Sequence, residues 1–220
     1  MVEVSTSILS ADKEEIAKTI YNLEAAKTDY FHIDVMDGIF VKRNTDDTMK
    51  EYCSLLNGIS NVPLDVHLMV KDVKKYVEEY SIYNPNIITF HLEALDFNEN
   101  AIREIIKLIK DNNAKVGISV KPNTNIEEVY KYLNDVHMVL VMTVEPGEGG
   151  QKLIPETIEK VKVLKKYIED NNLQVDIEVD GGINKETCVN AQDAGADILV
   201  SGSYIVNSND MKEAIKYLKY

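Results

Sequence analysis

Cysteine is scarce in this 220-residue chain, and neither Cys53 nor Cys188 belongs to a CxxC pair. That argues against a disulfide framework or a thiolate zinc site as a source of stability. Basic charge is also short: 24 Lys and Arg stand against 37 Asp and Glu, a net charge of -13. Nucleic acid and anionic membrane surfaces both require a basic footprint, so neither is expected as a partner. A phosphate ester held by backbone N–H groups stays open, since that mode needs no Lys or Arg. No apolar run approaches the length of a membrane span. The opening "MVEVSTSILSADKEE" has no basic region followed by an apolar core, so no signal peptide is read there. The first strand is not followed by GxGxxG, which weakens a dinucleotide-binding sheet. No Pro/Gly/Ser-rich linker breaks the chain. The expectation is one cytoplasmic domain over residues 1–220.

What the chain does contain is alternation. Eight short runs rich in Val, Ile, Leu and aromatics read as strands: "VEVSTSIL", "YFHIDVMD", "VPLDVHLMV", "NIITFHLEA", "KVGISVK", "MVLVMTVEP", "QVDIEVDGG" and "DILVSGSYI". Charged segments with helical spacing lie between them. In "ADKEEIAKTIYNLEAAK", Ile16, Ile20 and Leu23 recur at i, i+4, i+7, with Asp12 placed as N-cap. In "NENAIREIIKLIKDNN", Ile102, Ile105, Ile106 and Ile109 share a face. Repeated strand–helix units imply parallel strands joined by right-handed crossovers, and eight of them close an α/β TIM (β/α)8 barrel. A doubly wound open sheet is the rival. Apolar helix faces serve core and subunit contact alike, so a homo-oligomer is compatible with the pattern.

Residues two apart in a strand point the same way. That aligns His32, Asp34 and Met36 in the second run, and Asp65, His67 and Met69 in the third. It also aligns Thr89, His91 and Glu93, then Leu140, Met142 and Val144, then Asp176, Glu178 and Asp180. Several strands thus carry ionisable groups to one face near their C-terminal ends, which form the catalytic rim of a barrel. Burying so many without partners would be costly. His32, Asp34, His67 and Asp180 are read together as ligands of one divalent cation, Zn, Fe, Mn or Co by their N/O donors. A hydrogen-bonded His/Asp network without metal is the alternative. His91 and Glu93 have no matching set and read as a hydrogen-bonded pair; His137 reads as solvated. Asp34 and Asp180 also suit proton transfer on opposite faces of a substrate through an enediolate.

A second constellation is glycine. Gly147, Gly149 and Gly150 follow the sixth run, Gly181 and Gly182 the seventh, and Gly202 with Ser203 the eighth. Barrel loops after strands seven and eight frequently hold phosphate on backbone N–H groups. Tight turns alone would explain any one of these clusters.

Taken jointly, "SILSAD", "HIDVMDG", "LDVHLMV", "VMTVEPGEGGQK", "EVDGGIN" and "GADILVSGS" resemble the ribulose-phosphate 3-epimerase family along nearly the whole chain, in order. The resemblance implies an isomerase of the pentose phosphate pathway that interconverts D-ribulose 5-phosphate and D-xylulose 5-phosphate with a divalent metal. It implies Asp34 and Asp180 as the acid/base pair and His32, Asp34, His67 and Asp180 as ligands. It implies Ser7 as a substrate-binding serine, His67 facing substrate as well as metal, and Met36, Met69 and Met142 as a dry lining. Gly147, Glu148, Gly149, Gly150, Gly181, Gly182, Gly202 and Ser203 fall in the phosphate-binding and covering loops. The chain departs from the family in two places. Glu148 stands where the family has an aromatic, and "FVKRN", with Lys42 and Arg43, replaces "FVPN". A carboxylate beside a phosphate is unfavourable, so Glu148 is expected to face solvent or pair with Lys42, Arg43 or Lys152. The alternatives are a 3-epimerase of a hexulose phosphate such as allulose 6-phosphate, a related lyase, or a non-catalytic sugar-phosphate-binding barrel. The lyase is disfavoured because these strands lack a lysine–aspartate array.

Overall fold

The strands set the frame of the computed structural model, which describes residues 2–219. They are β1 (Glu3–Ser7), β2 (Tyr30–Met36), β3 (Leu64–Met69), β4 (Ile87–His91), β5 (Lys115–Val120), β6 (Met138–Met142), β7 (Asp176–Asp180) and β8 (Ile198–Ser201). All pair in parallel in chain order, and β8 returns to β1, closing the expected barrel. The helices are α1 (Ile16–Ala25), α2 (Asp46–Ile59), α3 (Val73–Ser81), α4 (Glu99–Asp111), α5 (Glu156–Asp170), α6 (Cys188–Asp193), α7 (Ser203–Val206) and α8 (Met211–Lys219). Short polar side chains start several of them. Asp72 accepts from the Lys75 amide ahead of α3, and Asn98 from the Ala101 amide ahead of α4. Asp12 caps as expected, although the turn it opens, Lys13–Glu15, is 3-10 and passes into α1 afterwards.

One crossover departs from the strand–helix reading. Between β5 and β6 the chain forms a 3-10 helix, Ile126–Tyr132, rather than an α-helix. Its buried residues are Ile126, Val129 and Tyr132. That spacing of three matches a helix with three residues per turn, in which side chains at i and i+3 eclipse.

The strands sort their side chains by alternation. Val4, Ile33, Val35, Val66, Leu68, Ile118, Val139, Val141, Ile177, Val179 and Leu199 join one core with Ile20, Leu23, Ile102, Ile109 and Leu164 of the helices. Burying each such side chain contributes about 1.5–3 kcal/mol. The other face of the strands fills the barrel. Ile87, Met138 and Ile198 form a small apolar cluster of their own. Above it the interior turns polar, with Ser5, His32, Asp65, Thr89, Ser119 and Glu178 all buried. The main apolar core therefore surrounds the barrel, and polar groups occupy its axis.

Interior crowding is tightest at Gly117, which pairs with Thr89 across β4 and β5. A Cβ built there would lie 2.1 Å from Thr89 Oγ1 and 3.0 Å from Thr89 Cβ. Gly117→Ala is therefore expected to lower the unfolding free energy by about 1–3 kcal/mol in urea titrations. Adding Thr89→Ala should recover part of that loss. Simple additivity of the two substitutions would show that the contact is not the cause.

Candidate active site

Register brings the site together. In the β2–β3 pair, Asp34 stands opposite His67 and His32 stands two residues lower, opposite Asp65. Across β6 and β7, Asp180 stands opposite Met142. His32 Nε2 lies 3.5 Å from Asp34 Oδ1 and 3.8 Å from Asp180 Oδ2. His67 Nδ1 lies 3.6 Å and 3.5 Å from the same two oxygens. Both imidazoles are fully buried, and neither of these nitrogens has a hydrogen-bond partner. One donor atom from each of His32, Asp34, His67 and Asp180 falls within a cluster 4.8 Å across. A tetrahedral centre with bonds of about 2.0–2.2 Å would hold its donors roughly 3.3–3.6 Å apart, so this set fits a divalent ion. With two nitrogens, two carboxylates and no thiolate, the group suits Zn, Fe, Mn or Co alike.

The other imidazole nitrogens are already engaged. His32 Nδ1 meets Asp65 Oδ2 at 2.6 Å, and that oxygen also accepts from Ser5 Oγ at 2.7 Å. His67 Nε2 meets His91 Nε2 at 2.9 Å, and His91 Nδ1 lies 3.3 Å from Glu93 Oε2. Ser7 Oγ donates to Asp34 Oδ2 at 2.6 Å. The ionisation states follow these contacts. Burial alone would depress His32, but the carboxylates of Asp65 and Asp34 outweigh it and hold the ring well above its ordinary range. His67 is also raised, its burial outweighed by Asp180 and Asp34. Asp34 and Asp65 are lowered despite burial, chiefly by His32. Burial takes His91 down to about 4, so this ring is neutral. Glu93 would be raised by burial, yet hydrogen bonds from His91, the Lys121 amide and Thr124 hold it at about 2.

Above these groups opens a cavity of about 430 Å³. Ser7, Asp34, Asp180, Met36, Met69 and Met142 line it, and so do all the glycine-loop residues singled out above. His32 and His67 are fully buried beneath its floor. Positive φ holds at Gly147, Gly150, Gly181 and Gly182, and at the last two a Cβ would also collide with its neighbours. Gly181 has φ +121 and a Cβ there would meet Val144 Cγ2 at 2.3 Å. Gly182 has φ +68 and a Cβ would strike the Leu153 backbone nitrogen at 2.3 Å. Glu148 is exposed, as expected, and shares a shallow groove with Lys42 and Arg43.

Sequence reasoning passed over several residues. Ser10, Asn184 and Asn207 also line the cavity, but they come from irregular loops that no periodicity marks. Lys152, expected only as a partner for Glu148, lines it too. Asp65 and Glu178 were aligned with the site without a role. Asp65 supports His32, and Glu178 is fully buried with both oxygens unpartnered. His91 and Glu93 form the expected pair, but that pair ends on a ligand candidate rather than standing apart. His137 is exposed and accepts from the Val116 amide at 3.1 Å.

A closed (β/α)8 barrel with a buried two-His, two-carboxylate cluster under glycine-rich rim loops has the layout of a barrel enzyme whose site lies at the C-terminal ends of the strands and could hold a divalent metal. A model of the Ribulose-phosphate 3 epimerase family matches residues 3–206, and the chain belongs to that family. It is 40% identical to the ribulose-phosphate 3-epimerase of Methanocaldococcus jannaschii over 219 residues, covering 100% of this chain and 90% of that protein. Against the Bacillus subtilis enzyme of the same name it is 36% identical, covering 100% and 99%. Among solved structures, a 3-hexulose-6-phosphate synthase superposes with a TM-score of 0.71 at 14% identity, covering 99% of this chain and 98% of that one. KGPDC from Streptococcus mutans gives 0.70 at 12%, covering 100% and 96%. At those identities the two structures speak for the fold alone. No helix among the described residues is long and apolar enough to cross a membrane.

Glu178 offers a test of the buried network. Burial, reinforced by the Asp65 carboxylate, raises its pKa well above the ordinary value. The native state then keeps this proton to higher pH than the unfolded chain does. Stability from it is present below the unfolded value of 4.5 and is lost as pH rises toward the native one, by up to about 1.4 kcal/mol per pH unit. Glu178→Gln removes that dependence. In urea titrations of metal-free protein, the variant's stability relative to wild type should grow between about pH 5 and pH 8. A difference that stays constant with pH would mean Glu178 is ionised in the fold.

Proposed function

We propose that this chain interconverts D-ribulose 5-phosphate and D-xylulose 5-phosphate, with Asp34 and Asp180 exchanging protons on opposite faces of the substrate. The observation that carries the reading is the convergence of those two carboxylates with His32 and His67 at the cavity floor, in a member of this family. Asp34 is held ionised by His32 and His67, so it is available as a base. Ser7 fixes its orientation by donating to Oδ2. Deprotonation by the ionised carboxylate at the carbon beside the carbonyl generates an enediolate. Return of a proton from the opposite residue, in its carboxylic acid form, inverts that carbon. The first group is left protonated and the second ionised for the reverse reaction. Removal and return balance, so no redox partner is needed. The cation held by His32, Asp34, His67 and Asp180, when bound, supplies positive charge against the developing oxyanion. Met36, Met69 and Met142 present polarisable, non-hydrogen-bonding walls that keep competing proton donors away from the enediolate. The phosphate fits the loops after β6, β7 and β8. Lys152 is the one cation among the lining residues, so backbone groups must supply most of the binding.

Asp34→Asn and Asp180→Asn should each lower epimerisation by several orders of magnitude, because an amide cannot shuttle a proton. A coupled assay on metal-stripped and zinc-, iron-, manganese- or cobalt-restored protein checks this together with the metal. Near-wild-type turnover by either variant, or full activity after stripping, would sink the two-carboxylate metal site.

Glu148 supports a second reading, since it lines the cavity where the family carries an aromatic. Facing inward, a carboxylate some 6 Å from a phosphate charge would be repelled by roughly 3 kcal/mol at an effective dielectric near 20. Its exposure is consistent with avoiding that. Glu148→Phe is therefore expected to preserve or raise kcat/KM for ribulose 5-phosphate. If instead it selectively damages turnover of allulose 6-phosphate, Glu148 is reading a hydroxyl of a longer sugar and the pentose assignment fails.

A further inference from the structure

His91 and Glu93 lie outside the ligand set, yet the hydrogen bonds between their side chains lead to it. His91 is fully buried, with its ring edge-to-edge with His67 at 5.0 Å between centroids and 28° between planes, and tilted against Phe40 at the same distance. Its Nε2 meets His67 Nε2, and its Nδ1 faces Glu93 Oε2. Glu93 Oε1 accepts from the Lys121 amide at 2.8 Å and from the Thr124 hydroxyl. The loop carrying those two donors is itself pinned, because Lys160 Nζ of α5 donates to the carbonyls of Lys121, Pro122 and Thr124.

The far end of this chain is fixed, and that fixes the direction of every bond leading back from it. A backbone amide can only donate, so Glu93 is an acceptor at its Lys121 end. Its other oxygen faces His91 Nδ1, while the Lys121 amide and the Thr124 hydroxyl both donate to Oε1, so the His91 ring donates through Nδ1 and turns its Nε2 lone pair toward His67. That lone pair can only receive the Nε2–H of His67, which leaves His67 Nδ1 free as a donor of electrons toward a cation beside Asp34 and Asp180. We infer that His91 and Glu93 are positioning residues that hold His67 in the tautomer able to bind the metal through Nδ1. The inference rests on the metal-site reading above, which it deepens by assigning a source for the tautomer.

Replacing Glu93 with its isostere tests the logic sharply. In Glu93→Gln the carbonyl oxygen must face the Lys121 amide, so the NH2 group faces His91 Nδ1. That reverses both imidazoles and places a proton on His67 Nδ1, where the metal should sit. Zinc affinity by chelator competition should fall about 10–100-fold, the usual scale for losing the support of a ligating histidine. His91→Leu should lose affinity comparably. His91→Gln, with an acceptor for His67 and a donor for Glu93, should recover most of it, which a purely space-filling role does not predict. Independently of any variant, imidazole 15N shifts of zinc-loaded wild type should show protons on His67 Nε2 and His91 Nδ1. If wild type binds zinc but Glu93→Gln binds it equally well, or if His91 carries its proton on Nε2, the inference is overturned alone. A wild type that binds no zinc overturns the metal reading and this inference with it.

Discussion

An ionised carboxylate survives away from water only against a cation or dedicated donors, and this constraint shapes the barrel's interior. Asp34 and Asp65 are buried almost completely, and each is matched to His32 and to a serine hydroxyl. Two negative groups and one imidazole cannot all be satisfied pairwise, so charge must be shared or supplied. Glu178 resolves part of the imbalance by holding its proton. A divalent ion would resolve the rest at the upper layer, where His32, His67, Asp34 and Asp180 converge. The raised imidazoles show the same demand met by protons, and a metal would compete with those protons for the same lone pairs.

That polar axis is sustainable because the stability lies elsewhere. The apolar faces of the strands pack outward on the helices, forming one continuous core around the barrel. The interior is thereby free to carry chemistry, and the loops beyond the strand ends are free to vary. The same architecture superposes on a synthase and on KGPDC at 12–14% identity, so the frame does not select the reaction. Selection comes from which side chains occupy the inward positions of β2, β3 and β7. Here they are carboxylates and imidazoles, with methionines above them at Met36, Met69 and Met142.

Much of this was legible in the sequence because alternation is a local signal. The strand runs, the inward sets His32/Asp34/Met36 and Asp65/His67/Met69, and the isoleucine face of α4 all follow from periods of two and of three to four. The glycines of the β7 loop were legible for a related reason, since Gly181 and Gly182 admit no Cβ. Register was not legible. That Asp65, rather than Asp34, takes His32 Nδ1 depends on how β2 and β3 slide past one another, which no single strand encodes. Nor was the path from Glu93 to His67 legible, because it crosses from the turn after β4, through His91, to β3, and is anchored from the loop after β5. The 3-10 crossover was hidden for a different reason: its spacing of three lies too near the helical period to be separated in so short a stretch.

Register also explains why the two histidines use opposite ring nitrogens toward the site. His32 sits one inward layer below Asp34 on β2, level with Asp65 on β3. Its near nitrogen, Nδ1, therefore meets Asp65 in its own layer, and only the far nitrogen, Nε2, reaches up to the centre. His67 is level with Asp34, so its near nitrogen already lies beside the centre and the far one projects toward β4. On β4 its level partner is Thr89, and the ring two residues further along, His91, is the group within reach. An imidazole cannot anchor a neighbouring imidazole's tautomer unless its own is set, whereas a carboxylate can. His32 therefore needs only Asp65, while His67 requires a relay ending in a carboxylate, and Glu93 supplies that end. The unequal lengths of the two supports follow from a one-layer difference in depth between the two histidines.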